Sequence, residues 1–469
     1  MKRIQVIGGG LAGPEAALQA ASRGCEVHLY EMRPTRSTEA HQTSDFAELV
    51  CSNSLKSESE NSAPWLLKQE MRRANSFLLA DADATAVPAG HALAVDRELF
   101  SQRVAARIAA EPNITVHREE VTSLNESDPD SITILASGPL TSPALAAELQ
   151  RLTGSDHLAF YDSISPIVDA TTIDMDKVYL AARWDKGTAD YINCPFTKEE
   201  YEVFLDALVS AETVAAKEWE KIPTEPGAPG PASGTWVSTE PTPTTTPEKL
   251  QYFEGCLPIE ETARRGRDTL RFGPMKPAGL TNPKTGRWPY ACVQLRQENL
   301  RADSYNLVGF QNHLKYSEQA RVLRLIPGLE NAKFLRYGQI HRNTYIHAPS
   351  LLTETLQLRN HPGIMIAGQL SGVEGYTESI ASGMLAGIYA AALAHGLTPE
   401  PAPRLTANGS LTHYITHAET KKFQPANITF DLLPPLEEEL RKKIRDKKER
   451  HRIQCDRALE AWTGWLNKA

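Results

Sequence analysis

Gly8, Gly10 and Gly13 stand in a G-x-G-x-x-G spacing, directly after the apolar residues 4–7 and directly before an alanine-rich stretch running to Ser22. That spacing suits a pyrophosphate. The first glycine allows a tight turn, the second lets the phosphates approach the backbone, and the third lets a helix pack closely on its strand. With Gly9, Leu11 and Ala12, the loop would offer free N–H groups and the positive end of a helix dipole. Glu31 ends the next apolar run, residues 25–30, eighteen positions beyond Gly13. An acid at that distance accepts a ribose hydroxyl and selects an unphosphorylated adenosine ribose, as in FAD or NAD. A second glycine loop, with Gly368 and Gly372, follows the apolar residues 364–367 and precedes small residues at Ser379, Ala381, Ser382, Gly383, Ala386 and Gly387. Alone, this pattern fits a tightly packed core helix equally well. Paired with the first loop, it favours FAD over NAD, because flavoproteins of the two-dinucleotide-fold type close a late strand, loop and helix over the flavin.

Six cysteines (25, 51, 194, 256, 292 and 455) lie far apart, with no C-x-x-C pair. Their spacing argues against zinc, an iron–sulfur cluster and a neighbouring-cysteine disulfide, and suits a reducing compartment. What remains is single-thiol chemistry, for which a thiolate is nucleophilic near neutral pH. Of residues 441–452, eight are Lys or Arg, Arg441, Lys442 and Lys443 among them. Such a run is either a solvated helix with i, i+4 ion pairs or a local cationic surface for phosphates. The net charge of −8 excludes a bulk attraction to nucleic acid, so any such contact must be local.

These residues need elements to hold them. Alternating strand and helix patterns predict an α/β, Rossmann-type FAD-binding domain of the two-dinucleotide-fold kind, with an inserted α+β second domain. Its first part covers 1–140, the insertion 141–330, its second part 331–435, and a basic helical tail 436–469. Within the first part, Ser62 and Pro64 open a helix over 62–80. Asp96-Arg97 opens another that ends near 110, and strands are expected at 114–117, near Val121 and at 132–136. Inside the insertion, residues 222–248 are so rich in Pro, Thr and Gly that they cannot bury enough apolar surface to order themselves. The chain enters its first strand at residue 4 and has no apolar run approaching a membrane span, so a cytoplasmic location is expected.

Seven segments give the chain a resemblance: IGGGLAGPEAA (7–17), LYEMRP (29–34), FAELVCSNSLKS (46–57), FEGCLPIE (253–260), PYACVQLRQEN (289–299), QIHRNTYIHAP (339–349) and AGQLSGVEGYTESIASG (367–383). Together they resemble the bacterial folate- and FAD-dependent tRNA (uracil-5-)-methyltransferases, with residues 222–248 as an insertion relative to that family. The resemblance implies methylation at C5 of the T-loop uridine, position 54, to 5-methyluridine. The carbon donor would be 5,10-methylenetetrahydrofolate, with reduced FAD as carrier and reductant and NADH or NADPH as its source of electrons. The partners implied are tRNA, folate and a nicotinamide, with no membrane and no protein partner. C5 of uracil is a poor nucleophile until a group adds to C6, and a second group must then remove the C5 proton. By motif match, Cys256 carries over as the C6 nucleophile and Cys51 as a second active-site thiol near the flavin, although the residues themselves leave the division of roles open. Arg342, Asn343 and Tyr345 fall in a polar-aromatic turn that could meet folate or flavin. A T-loop uridine is tucked into the tRNA elbow and must be exposed before a thiol can reach it, which strengthens the cationic reading of 441–452. Two other functions remain: the related FAD- and folate-dependent enzyme of the wobble uridine, and a flavin oxidoreductase acting on a small molecule.

Overall fold

The computed structural model describes residues 2–38, 40–126, 128–154, 158–214, 257–338, 340–419 and 423–468. The low-complexity run at 222–248 and Cys256 lie outside the described residues.

A six-stranded sheet forms the larger half, in the order Gln357–Leu358, His361–Ile366, Ser131–Leu135, Arg3–Ile7, Val27–Tyr30 and Ile114–His117. Five strands run parallel, and the short Gln357–Leu358 pairs antiparallel at the edge. Parallel strands are covered on both faces, and accordingly every residue of the central strand Ser131–Leu135 is buried. Two helices cross one another beneath the glycine loops: Ala12–Ala21 and Tyr376–Ala394. The small residues of the second have a packing cause. A Cβ on Gly383 would stand 2.3 Å from the Ala12 carbonyl oxygen, and one on Gly387 2.5 Å from that of Ala16.

The helix expected over 62–80 is two helices, Ala63–Arg73 and Phe77–Ala84. Asn75 takes a positive φ of 56°, and the Ser76 hydroxyl then caps the second helix by accepting from Leu79 N–H. No described strand contains Val121, which lies in a loop instead. A three-stranded sheet of Ser54–Ser57, Ala92–Val95 and Ala86–Val87 carries the segment that follows Cys51.

The smaller half is built on a six-stranded antiparallel sheet, ordered Tyr179–Leu180, Ile192–Phe196, Ala291–Gln297, Ser304–Leu307, Ile167–Asp169 and Phe334–Arg336. Helix Lys198–Ser210, opened by a Thr197/Glu200 capping box, buries Tyr201, Phe204, Leu205 and Leu208 in its separate hydrophobic core. Strands Leu158–Ser163 and Ile340–Tyr345 pair antiparallel where the chain passes between the halves. Arg342, Asn343 and Tyr345 therefore sit on a strand rather than in the expected turn.

The basic C-terminal run is divided as well. Helix Glu438–Lys443 stops at Ile444, and Lys447–Leu466 starts anew with the Asp446 carboxylate accepting from Lys448 N–H. The far half of the second helix docks on the larger core through Cys455, Ala458, Leu459, Trp462 and Trp465. Among the described residues, no helix is long and apolar enough to cross a membrane.

Candidate active site

Between the two glycine loops lies a cleft of about 1010 Å³, open solvent at its mouth included. Gly8, Gly9, Gly10, Leu11 and Ala12 line it, with Glu31 on one side, Ser137–Ser142 opposite, and Gly368, Gln369, Tyr376 and Ser379 closing the far end. The glycines divide their tasks as a dinucleotide requires. Gly8 has φ 119° and a Cβ there would lie 2.3 Å from the Ala136 carbonyl oxygen, while one on Gly13 would lie 1.8 Å from that of Gly8. Both positions serve close backbone packing. A Cβ on Gly10 would meet nothing within 4 Å, so this position faces open space in the cleft. The helix that follows has no side-chain cap at Leu11. Its first N–H groups thus keep the need for acceptors that phosphate oxygens satisfy. FAD fits the residues present: the 8–12 backbone would hold its phosphates, Glu31 a ribose, and the 368–379 end its flavin.

Glu31 is buried, and its Oε2 accepts from Gly9 N–H at 2.8 Å. Its Oε1 accepts from the Arg33 backbone N–H and from Arg33 Nε, both at 2.9 Å. Burial alone would raise its pKa, but hydrogen bonds and charge from Arg33 hold it below the usual carboxylate range. It is therefore an anion with acceptor capacity to spare, since each oxygen has two lone pairs.

Cys51 is half-buried in a turn that a phenol ties to the cleft. The Tyr376 hydroxyl oxygen accepts from Cys51 N–H at 2.7 Å and from Ser52 N–H at 3.3 Å, while Tyr376 also lines the cleft. Burial and the neighbouring Cys51 push the phenol's pKa up, so its proton stays on and can be donated. Arg97 lies behind the turn, donating to the Leu49 and Cys51 carbonyls at 2.5 and 3.2 Å and to Glu298 at 2.5 Å. Burial would lower its pKa, but Glu298, Tyr376 and Cys51 outweigh that and raise it. Buried Asn53 completes the brace: its Nδ2 donates to Val95 and Gln297 carbonyls at 3.0 and 2.9 Å, and its Oδ1 accepts from Arg296 Nε at 2.9 Å.

The other described thiols lie deeper. Cys25, Cys194, Cys292 and Cys455 are buried, and burial pushes all four up, Cys292 and Cys455 to about 12. They are protonated and inert at neutral pH.

Among the expected cofactor residues, Gly8 to Ala12, Glu31 and Gly368 come together in the cleft. Gly13 lies beneath it as a packing residue. Gly372 stands outside its lining, where a Cβ would strike the Phe423 ring at 2.5 Å. Asn343 is buried with an Oδ1 that has no hydrogen-bond partner among the described residues, and Tyr345 tilts against Phe423. Arg441, Lys442 and Lys443 are exposed, Lys442 pairing with Glu438 at 2.6 Å. Sequence reasoning missed Arg97, Asn53 and Tyr376 as the brace of Cys51. The last two lay inside segments 46–57 and 367–383, and Arg97 was seen only as the start of a helix.

The chain matches the family described as "Glucose inhibited division protein A" over residues 3–227 and 237–398. It is 65% identical over 464 residues to a protein of Koribacter versatilis (strain Ellin345) named methylenetetrahydrofolate--tRNA-(uracil-5-)-methyltransferase TrmFO, covering 99% of this chain and 98% of that one. A protein of Enterococcus faecalis (strain ATCC 700802 / V583) with the same name is 52% identical, over 98% of this chain and 97% of its own. In fold, the chain is similar to Aquifex aeolicus GidA, with a TM-score of 0.68 at 16% identity over 100% of this chain and 73% of that one. A full-length match at this identity leaves one assignment: the chain belongs to the glucose inhibited division protein A family and, within it, to the TrmFO group.

Proposed function

We propose that this chain methylates C5 of uridine 54 in the T-loop of tRNA, taking the carbon from 5,10-methylenetetrahydrofolate and using bound FAD, with NADH or NADPH as the electron source. The observation that carries the reading is the Cys51 turn, pinned at 2.7 Å by a tyrosine of the dinucleotide cleft. The relatives' names supply the substrate. FAD, when bound, supplies electrons and relays the one-carbon unit. The chain's residues do the rest. A thiolate adds to C6 of the uracil and makes C5 nucleophilic, C5 forms its bond to the new carbon and loses its proton, and the thiol leaves. Cys256 is assigned the addition and Cys51 the second thiol's part near the flavin, with Tyr376 and Arg97 holding its backbone. Residues 1–140 and 331–435 form the FAD-binding domain in this reading, 141–330 the insertion, and 436–469 a tail whose Arg441, Lys442 and Lys443 meet phosphates.

The test is incorporation of labelled one-carbon units into a tRNA transcript by purified protein with FAD, reduced nicotinamide and methylenetetrahydrofolate. Label at uridine C5, lost in Cys51→Ala and in Cys256→Ala, is the expected result. Flavin-loaded protein that oxidises NADH without labelling tRNA would favour a small-molecule oxidoreductase. Reversing the charges of Arg441, Lys442 and Lys443 together should weaken tRNA binding and leave flavin content unchanged. Unaltered tRNA affinity at physiological salt would remove that surface from the mechanism.

A further inference from the structure

We propose that Glu354, His413 and His417 form a binding site for one divalent transition-metal ion of the zinc type, separate from the cleft. The two histidines lie four residues apart near the C-terminal end of helix Ala407–His417, a spacing that stacks side chains on one face. Their rings are nearly parallel, with centroids 4.3 Å apart and planes 13° apart. Glu354 comes from the segment between helix Ala348–Leu351 and strand Gln357–Leu358. Its Oε1 is 2.9 Å from His413 Nδ1 and 3.7 Å from His417 Nδ1. One ligand atom from each residue falls within 4.8 Å of the other two. None of the three lines the cleft.

A surface hydrogen bond between His413 and Glu354 explains the shorter contact only. At 3.7 Å, His417 converges on the same oxygen without a hydrogen bond to it. A tetrahedral zinc ion with bonds of roughly 2.0–2.1 Å sets its ligand atoms about 3.3 Å apart, a spacing that 2.9 and 3.7 Å bracket. Turning the rings out of their stack until both planes meet at one point would seat an ion, displacing the Thr416 Oγ1 contact to His417 Nδ1 at 2.9 Å. Two imidazoles and one carboxylate suit zinc, cobalt or nickel over magnesium or calcium, and leave a fourth position for water. Arg404 lies near enough to feel the Glu354 charge, but its guanidinium donates to Ser410 Oγ at 2.6 Å and leaves the carboxylate available. A bound ion would fasten the 352–356 segment to the end of the helix.

Chelator-treated, FAD-loaded, tag-free protein should be titrated with Zn²⁺ against a chromophoric competitor, beside Glu354→Gln, His417→Ala and the His413→Ala/His417→Ala pair. Flavin content per chain controls for folding, and exposed His417 gives a mild single variant should the pair misfold. The expected result is one Zn²⁺ per chain in the parent, at least tenfold weaker binding in the variants, and a thermal midpoint raised by Zn²⁺ in the parent alone. Cobalt substitution should give ligand-field bands without a thiolate charge-transfer band, since the cysteines are the competing ligands. Equal zinc affinity in parent and variants, a thiolate band, or no binding would each overturn the proposal.

Discussion

Gly10 separates cofactor binding from folding better than any other residue of the cleft. Because a Cβ there would meet no protein atom within 4 Å, Gly10→Val should leave the apoprotein's thermal midpoint unchanged. It would obstruct a bound dinucleotide, and FAD affinity should fall at least ~10-fold, about 1.4 kcal/mol, read as flavin absorbance per chain after dialysis. The same residue shows what a sequence can disclose. Gly8, Gly10 and Gly13 act within a few positions of one another, so their spacing displays their task. Tyr376 reaches Cys51 across 325 positions and Glu298 reaches Arg97 across 201. No local pattern encodes such pairs, and they became visible only when the strands brought distant segments together.

At the scale of elements, the cleft depends on how closely helices Ala12–Ala21 and Tyr376–Ala394 approach. Gly383→Ala would place a methyl 2.3 Å from the Ala12 carbonyl oxygen and 2.7 Å from its Cα. Overpacking of this kind costs about 1–3 kcal/mol, and the displaced phosphate-binding turn should also lose flavin. Gly464 provides the contrast: in helix Lys447–Leu466 its added Cβ would meet nothing within 4 Å. Gly464→Ala should stabilise by about 0.5–1 kcal/mol, and thermal unfolding of the two variants should show shifts of opposite sign. The small residues between 379 and 387 were legible as a pattern, but whether they served cofactor or packing was not. Their partner is another helix more than 350 residues away in sequence, and they serve both. The break at Asn75 was hidden by apolar residues that run on across it.

For the whole molecule, the assembly of distant segments centres on buried Glu70. Its carboxylate accepts from Ala407 and Asn408 N–H at 2.6 and 2.9 Å, and its backbone carbonyl accepts from Trp462 Nε1 at 2.6 Å. One residue thus joins three helices. Burial raises its pKa from 4.5 to about 7, more than those hydrogen bonds lower it. A raised folded pKa means that the fold prefers the neutral acid. Its contribution is complete below pH 4.5 and is lost as pH rises through about 7, to a limit of about 3 kcal/mol. The thermal midpoint should accordingly fall between pH 5 and pH 8, and fall less in Glu70→Gln. Equal slopes in parent and variant would show that Glu70 does not carry the dependence. The parallel half was readable because its central strands carry apolar residues close together, Ile4, Val6 and Ile7 in one and Ile132, Ile134 and Leu135 in the next. The strand order of the antiparallel half was not, because its short strands pair out of chain order, Ile167–Asp169 lying between Ser304–Leu307 and Phe334–Arg336.

The turn that holds Cys51 is stitched to both halves of the molecule. Asn53 bonds Val95 on one side and Gln297 and Arg296 on the other, and Arg97 reaches across to Glu298. The antiparallel half therefore cannot rock against the parallel half while the thiol stands still. Either these bonds break, or the sulfur travels with the hinge. The position of the Cys51 turn, held to the cleft through Tyr376, is a gauge of the angle between the halves, and anything bulky enough to lever them apart would also move the thiol.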